Sequence, residues 1–133
     1  MESLVCLDTS VLIDFFRKQK SGKSLFIKLT QSNLSGFYIP ITVEFEIYYG
    51  ANQQQLSFWD NLFNDFIVLP FTQRINKIAV DIAKDLKRKR KLIDYKDLTI
   101  AATAISAKSP LATLNKKHFD NIEGLNLITP DDL

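Results

Sequence analysis

Short apolar runs alternate along this chain with longer segments of helical periodicity, and this alternation is the feature that most constrains the fold. Strands that alternate with helices are joined by right-handed crossovers, which build a mainly parallel sheet. The pattern therefore predicts an α/β fold whose central sheet of four to five strands is flanked by helices. The runs of strand length are residues 4–7, 37–39, 67–69, 111–113 and 125–128.

Between these runs, apolar side chains recur at the three- and four-residue spacing of amphipathic helices. No repeat, low-complexity tract or linker interrupts the pattern, and 133 residues are enough to bury a core. We therefore expect one domain over residues 1–133. The spacing predicts helices over 10–17, 24–34, 42–50, 56–66, 73–89 and 95–107.

The residue inventory excludes several kinds of site. The chain has one cysteine, Cys6, which allows no intrachain disulfide and lies inside an apolar run, so we expect a buried thiol. His118 is the only histidine, which excludes a two-histidine ribonuclease mechanism and leaves little for zinc. The net charge of +2 permits a nucleic-acid partner without requiring one. With neither a membrane-length apolar stretch nor a secretory signal, we expect a cytoplasmic protein.

Two of the predicted strands are followed closely by a polar side chain. Asp8 comes after the run at 4–7, and Asn115 comes soon after the run at 111–113. Sites in parallel sheets collect outside the carboxyl ends of the strands, so both residues are candidates. Asp8 could equally cap the helix that follows it, with Thr9 or Ser10 sharing that role.

Two further acids fall on predicted helices. Glu44 and Glu46 lie on nearly opposite faces of one helix, and only Glu46 shares a face with Val43. Asp97 opens the last long helix, above a face of small apolar residues. Each acid also has a local interpretation, because Glu46 could be a solvated charge and Asp97 a favourable first-turn acid beside a capping Asp94.

A shared chemistry connects Asp8, Glu46 and Asp97 if the fold brings them together. Clustered carboxylates repel one another and raise each other's pKa, and a divalent cation removes that cost. Ligands that are all oxygen favour Mg²⁺ or Mn²⁺ over zinc. Such an ion can polarise a phosphate and activate a water molecule. We therefore predict an acidic site that binds Mg²⁺ or Mn²⁺.

Four segments, LDTSVLID, ITVEFEIYYG, DLTIAATAI and ATLNKKHF, together resemble the PIN domain, particularly the VapC-type toxins of bacterial and archaeal toxin–antitoxin systems. The resemblance covers essentially the whole chain and implies a PIN-like three-layer fold. It also implies a metal-dependent endoribonuclease, in which metal-activated water hydrolyses RNA phosphodiester bonds to leave a 5′-phosphate and a 3′-hydroxyl. A homodimer, and a cognate antitoxin lying across the acidic site, are the partners it implies.

The resemblance assigns roles to individual residues of this chain. Whether Asn115 or Asp94 fills the fourth position stays open, as does the choice between one and two metals. Ser10 is a mild departure, since Asn is frequent there. The catalytic residues it implies are Asp8, Glu46, Asp97 and Asn115, of which Asp8, Glu46 and Asp97 bind the metal, with Thr9, Ser10, Thr113 and Asp94 in support.

Basic residues beside the predicted site are candidates for binding substrate phosphates, namely Lys116, Lys117 and His118. The basic run at 84–91 is better explained as a solvated helix end, where cations suit the helix dipole. Three other functions stay open: a PIN nuclease that processes RNA without an antitoxin, a catalytically weak PIN-like module that binds RNA or protein, and a plain α/β domain whose acids are caps. The sequence does not identify the RNA or its cleavage site.

Overall fold

A five-stranded parallel sheet forms the centre of the computed structural model, which describes residues 3–133. The sheet order is β3-β2-β1-β4-β5, so the first strand is central, β2 and β3 extend the sheet on one side, and β4 and β5 extend it on the other. The predicted sheet is confirmed, although the last strand is shorter than the run at 125–128. The strands are β1 (Leu4–Leu7), β2 (Gly36–Pro40), β3 (Ile67–Leu69), β4 (Leu111–Ala112) and β5 (Leu127–Ile128).

Helices flank the sheet and connect its strands, as the alternation predicts. None of the helices formed by residues 3–133 is both long and apolar enough to cross a membrane. The predicted single domain includes Met1 and Glu2, which lie outside the described residues, and it stays a prediction. The helices are α1 (Thr9–Arg17), α2 (Leu25–Thr30), α3 (Ile41–Gly50), α4 (Leu56–Phe63), α5 (Gln73–Arg88), α6 (Tyr95–Ser106) and α7 (Lys116–Phe119), with 3₁₀ turns at Gln53–Gln55 and Pro130–Asp132.

Two helices end more than one residue before their predicted ends. The helix expected over 24–34 is capped by the Ser24 hydroxyl, which accepts from the Ile27 amide, but it ends at Thr30. The residues after Thr30 turn back towards β2. Just before that strand, the Ser35 amide donates a hydrogen bond to the Ser3 carbonyl. The helix expected over 56–66 likewise ends at Phe63, ahead of β3. The tight connections of a parallel sheet shorten both helices.

The core is built from the central strand and the small-residue helix. Val5, Cys6 and Leu7 of β1 are at most 1% exposed, so the predicted buried thiol is confirmed, and burial raises the pKa of Cys6 far above its ordinary value. Ile100 and Ala101 of α6 are fully buried. Small side chains let α6 approach its neighbours closely, and this helix carries Asp97 at its beginning. The most buried part of the fold therefore holds the elements that present Asp8 and Asp97.

Candidate active site

Asp8 lies at the carboxyl end of β1 and is only 3% exposed. It occupies the N-cap position of α1, but its side chain makes no capping hydrogen bond. Its Oδ2 atom instead accepts hydrogen bonds from the Thr113 hydroxyl at 2.7 Å and the Ser10 hydroxyl at 2.8 Å. The Asp8 carboxylate is therefore held by side chains of the site, and the capping interpretation of its side chain is wrong.

The hydroxyls that hold Asp8 are themselves fixed by the backbone that follows β4. Thr113 is fully buried, and its Oγ1 atom accepts from the Asn115 amide at 2.9 Å. The Ser10 hydroxyl accepts from the Leu114 amide at 3.1 Å. The ends of β1 and β4 are thus joined through side chains as well as through the sheet. This arrangement leaves little rotational freedom to the Asp8 carboxylate.

Glu46 reaches the same region from α3. The Thr9 hydroxyl donates to Glu46 Oε1 at 2.6 Å, a link between residues 37 positions apart. Thr9 therefore orients a carboxylate of the site and does not cap α1. Glu44 lines a different surface of α3, together with Tyr48 and Tyr49, so only Glu46 joins the site. The structure places the two glutamates as the helix-face argument expects.

Asp97 lies in the first turn of α6 and is 4% exposed. Two basic side chains contact it from different directions: His118 Nδ1 lies 3.1 Å from Asp97 Oδ2, and Lys96 Nζ lies 4.0 Å from Asp97 Oδ1. The Lys96 ammonium also lies 3.3 Å from Glu46 Oε2. Lys96 thus connects Glu46 and Asp97.

Lys96 is the site residue that the sequence did not reveal. Its contact with Glu46 joins two helices, α3 and α6, across 50 positions of the chain, and no periodic pattern reports a contact of that range. The one available signal is the position of Lys96 directly before an acid of the predicted site. His118, which is predicted to bind substrate, also contacts Asp97.

The charges of the site act strongly on one another. Burial raises the pKa of Asp97, and the carboxylates of Asp8 and Asp94 raise it further, while Lys96 and His118 oppose the shift without cancelling it. Partial burial lowers the pKa of Lys96, but the carboxylates of Glu46, Asp97 and Asp8 outweigh that effect, and the net shift is upward. The acids therefore form a region of negative potential that favours a bound cation.

The remaining predicted residues lie at the rim. Asp94 is exposed and makes no capping hydrogen bond, so its predicted capping role is wrong, and it lines a cavity of about 370 Å³ with Asp97, Lys117 and His118. Asn115 is exposed at the start of α7, and only its backbone amide is hydrogen-bonded to the site. Lys116 is exposed and does not line that cavity.

The donor atoms fit a hard divalent cation, although residues 3–133 contain no ready set of three His, Cys, Asp or Glu ligands for one metal ion. Asp8 and Asp97 are nearly buried carboxylates, Glu46 is about one quarter exposed, and all three offer oxygen. Lys96 supplies the positive charge that such a cluster requires. A Mg²⁺ or Mn²⁺ ion in place of the ammonium would bring one more positive charge and would find the oxygen ligands it prefers.

Comparison with known proteins identifies the family of this chain. The PIN domain profile matches residues 5–125. Ribonuclease VapC1 of Methanocaldococcus jannaschii is 34% identical over 135 residues, covering 95% of this chain and 86% of that protein.

Two solved structures share the fold. The first is VapBC2 from Rickettsia felis bound to a DNA fragment from its promoter, with a TM-score of 0.83 and 24% identity over 95% of this chain and 98% of that one. The second is a toxin–antitoxin complex from Klebsiella pneumoniae, with a TM-score of 0.76 and 24% identity over 97% of this chain and 99% of that one. At these identities the structures bear on the fold alone, while the profile and the VapC1 relative decide the family. The chain therefore belongs to the PIN domain family.

Proposed function

We propose that this protein is a metal-dependent endoribonuclease, and that it is the toxin of a VapBC-type toxin–antitoxin system. The observation that carries the proposal is the contact of Lys96 with both Glu46 and Asp97, close enough to Asp8 for its charge to raise the pKa of Lys96 and of Asp97. A relative named Ribonuclease VapC1, 34% identical over nearly the whole chain, supports the ribonuclease activity.

In this proposal the three acids hold Mg²⁺ or Mn²⁺. When bound, the ion polarises the scissile phosphate and lowers the pKa of the attacking water. Thr9 orients the Glu46 carboxylate, while Ser10 and Thr113 orient that of Asp8, because each hydroxyl donates to its acid. The hydrolysis leaves a 5′-phosphate and a 3′-hydroxyl.

The rim residues would contact the RNA. Lys117 and His118 line the cavity that contains Asp97, so a phosphate entering it meets positive charge from Lys117 and a hydrogen-bonding ring from His118. Asn115 and Lys116 lie exposed at the start of α7, where an amide and an ammonium can bind the neighbouring RNA backbone. These contacts would bind the sugar–phosphate backbone, so recognition of particular RNAs would depend on the shape of RNA loops and on their unpaired bases.

The partners in this proposal are a cognate antitoxin protein and a second copy of the chain. The 34% identity to a relative named Ribonuclease VapC1 supports an antitoxin partner, because the resemblance to VapC-type toxins implies one. A homodimer follows from the family resemblance. The buried, unpaired Cys6 is consistent with the reducing cytoplasm, where the RNA substrate is found.

A cleavage assay tests the activity. The purified full chain is incubated with a structured RNA pool in Mg²⁺ or Mn²⁺, and in parallel with EDTA. The Asp8→Asn variant tests the site, and Asp65→Asn is a matched control, because Asp65 is an exposed acid on the short segment between α4 and β3. We expect metal-dependent cleavage that Asp65→Asn retains, and a loss of about 100-fold or more in Asp8→Asn, as for removal of a principal catalytic group.

The outcomes separate the possible functions. Cleavage that survives both EDTA and Asp8→Asn would exclude this mechanism. Metal binding that depends on Asp8, without cleavage of any RNA in the pool, would favour a PIN-like binding module. If cleavage occurs, co-expression with the product of the neighbouring gene distinguishes a toxin, whose activity falls, from an RNA-processing nuclease, whose activity does not.

A further inference from the structure

The side chain of Lys96 contacts two acids of the site, Glu46 and Asp97. Its ammonium lies 3.3 Å from Glu46 Oε2 and 4.0 Å from Asp97 Oδ1. Glu46 lies on α3 and Lys96 on α6, so the ion pair between them bridges two helices. The lysine side chain is 43% exposed, whereas that of Asp97 is 5% exposed. The cation thus reaches the buried acid from the solvent side.

We propose that Lys96 is the resident counter-cation of the acid site, which a divalent ion must displace, and that it thereby sets the affinity of the site for metal. The inference rests on the proposed metal-dependent function and extends it to a residue outside the three acids. Lys96 acts through Glu46 and Asp97 and is a positioning residue.

Geometry explains why the two cations compete. Mg²⁺ takes carboxylate oxygens as ligands, so Glu46 and Asp97 would hold it through the carboxylates that Lys96 approaches. The ammonium already lies 3.3 Å from Glu46 Oε2 and 4.0 Å from Asp97 Oδ1. Two positive groups so close together repel, and Lys96 therefore has to withdraw. Its flexible stem and its exposure to solvent allow that movement.

The charge balance explains why Lys96 is needed when metal is absent. Asp97 is nearly buried, and the negative charge of Asp8 acts on it. The other basic contact of Asp97 is His118, which carries a charge only when protonated. Within residues 3–133, Lys96 is the permanent cation that contacts both Glu46 and Asp97. Removing its charge leaves the acids to repel one another until a metal ion binds.

The test is a metal titration that requires no RNA. Isothermal titration calorimetry of the EDTA-treated, dialysed full chain with MnCl₂ at constant pH and ionic strength gives the Kd. We expect Lys96→Gln to bind Mn²⁺ about tenfold more tightly than the wild type, a difference of ~1.4 kcal/mol. Lys96→Arg keeps the charge and should restore a Kd close to that of the wild type.

Two controls make the titration specific. Lys28→Gln removes the same charge from an exposed position on α2 and should leave the Kd within about twofold, because distant surface charges are screened by salt. Asp97→Asn should abolish the binding, which assigns the signal to this site. Thermal melts in EDTA should show a lower Tm for Lys96→Gln than for Lys28→Gln, since only the former leaves the acids uncompensated.

The results distinguish this inference from the proposed function. Mn²⁺ binding that is abolished by Asp97→Asn but equal in Lys96→Gln and the wild type would overturn the role of Lys96 while keeping the metal site. Weaker binding in Lys96→Gln would overturn it as well. If neither the wild type nor Lys96→Gln binds Mn²⁺, the metal-dependent function fails, and this role of Lys96 fails with it.

Discussion

At the scale of single residues, the site depends on hydroxyls that hold carboxylates in place. Asp8 stands where a helix cap is common, yet its Oδ2 atom receives the hydroxyls of Ser10 and Thr113. Glu46 likewise receives the hydroxyl of Thr9. Charge-assisted hydrogen bonds of this kind are short and strong, so they fix an acid at the angle a metal requires. The small polar residues after β1 and β4 therefore orient the carboxylates of Asp8 and Glu46.

Thr113→Val tests this role, because valine matches the shape of threonine and lacks its hydroxyl. Asp8 loses a 2.7 Å hydrogen bond, and the Asn115 amide loses its acceptor. We expect the free energy of unfolding to fall by about 1–3 kcal/mol, the usual cost of leaving buried polar groups unpaired. We also expect RNA cleavage to fall about tenfold or more, in the range measured when the hydrogen-bonding partners of metal ligands are removed.

Urea denaturation and the cleavage rate measure the two effects separately. Thr113→Ser keeps the hydroxyl and removes only a methyl group, so it should retain most of the activity. Equal loss of activity in the serine and valine variants would show that packing at Thr113 matters and that its hydrogen bond to Asp8 does not.

At the scale of helices and strands, the local pattern of the sequence predicts most of the architecture. Apolar runs and helical periodicity locate five strands and six helices, because each pattern reports which side of an element is buried. The short helix α7 was not predicted, since its four residues contain only one buried side chain, Phe119. The early end of α2 was also missed, because it is set by the turn into β2.

The positions of Asp8 and Asp97 in the fold were predictable from the same local patterns as the strands and helices. Asp8 ends an apolar run and Asp97 begins an apolar helix, so each is visible as a polar residue at the edge of a buried element. The contacts between elements were not predictable, because no local pattern links Lys96 to Glu46 or His118 to Asp97. Those contacts depend on the side-chain directions that only the assembled fold provides.

The basic end of α5 offers a pH test at this scale. Hydrogen bonds from Lys89 and Arg88, together with their charges, lower the pKa of Asp85, and Lys89 also contacts Glu123 in the loop before β5. A lowered pKa means that the native state binds fewer protons than the unfolded chain. The contribution of Asp85 to stability is therefore present above its ordinary pKa of 3.8 and is lost as the pH falls through the lowered value.

Asp85→Asn should then lower the Tm slightly at pH 7, and the difference from the wild type should shrink as the pH falls below about 4. The effect is small because the pair is exposed and screened by salt. Thermal melts between pH 2 and 7 measure it, with Asp81→Asn as the control, since Asp81 is an exposed acid on the same helix. A constant difference at every pH would show that the ion pair is not its cause.

At the scale of the whole molecule, one group of large apolar side chains stays on the surface of the single chain. Phe45 is 65% exposed and Tyr49 is 83% exposed, and their rings stack with centroids 5.6 Å apart on α3. Tyr95, at the start of α6, is 68% exposed and lines the same groove of about 560 Å³. Most other aromatic rings of the chain pack against the core, so this exposure is best explained by a partner.

We expect the partner on this aromatic surface to be a second copy of the chain. Aromatic residues are enriched in interfaces, and a charge placed among them is costly to bury. The double variant Phe45→Glu with Tyr49→Glu should therefore shift the protein from a dimer to a monomer of 15.2 kDa. Light scattering coupled to size exclusion measures the mass. Both residues are exposed in the single chain, so far-UV circular dichroism should be unchanged.

Ile67→Glu is the matched control, because Ile67 is an apolar residue that is 50% exposed on β3 at the edge of the sheet. It adds one negative charge outside the groove and should leave the dimer intact. A dimer that withstands both glutamates would place the interface elsewhere, and a wild-type monomer would contradict the homodimer itself.

Glu46 and Lys96 line the groove beside Phe45 and Tyr49, so the second copy in a dimer would form one wall of the entrance to each acid site. RNA is large enough to contact the second copy at this entrance, whereas a metal ion is not. Loss of the dimer should therefore change the KM for RNA more than the Kd for Mn²⁺.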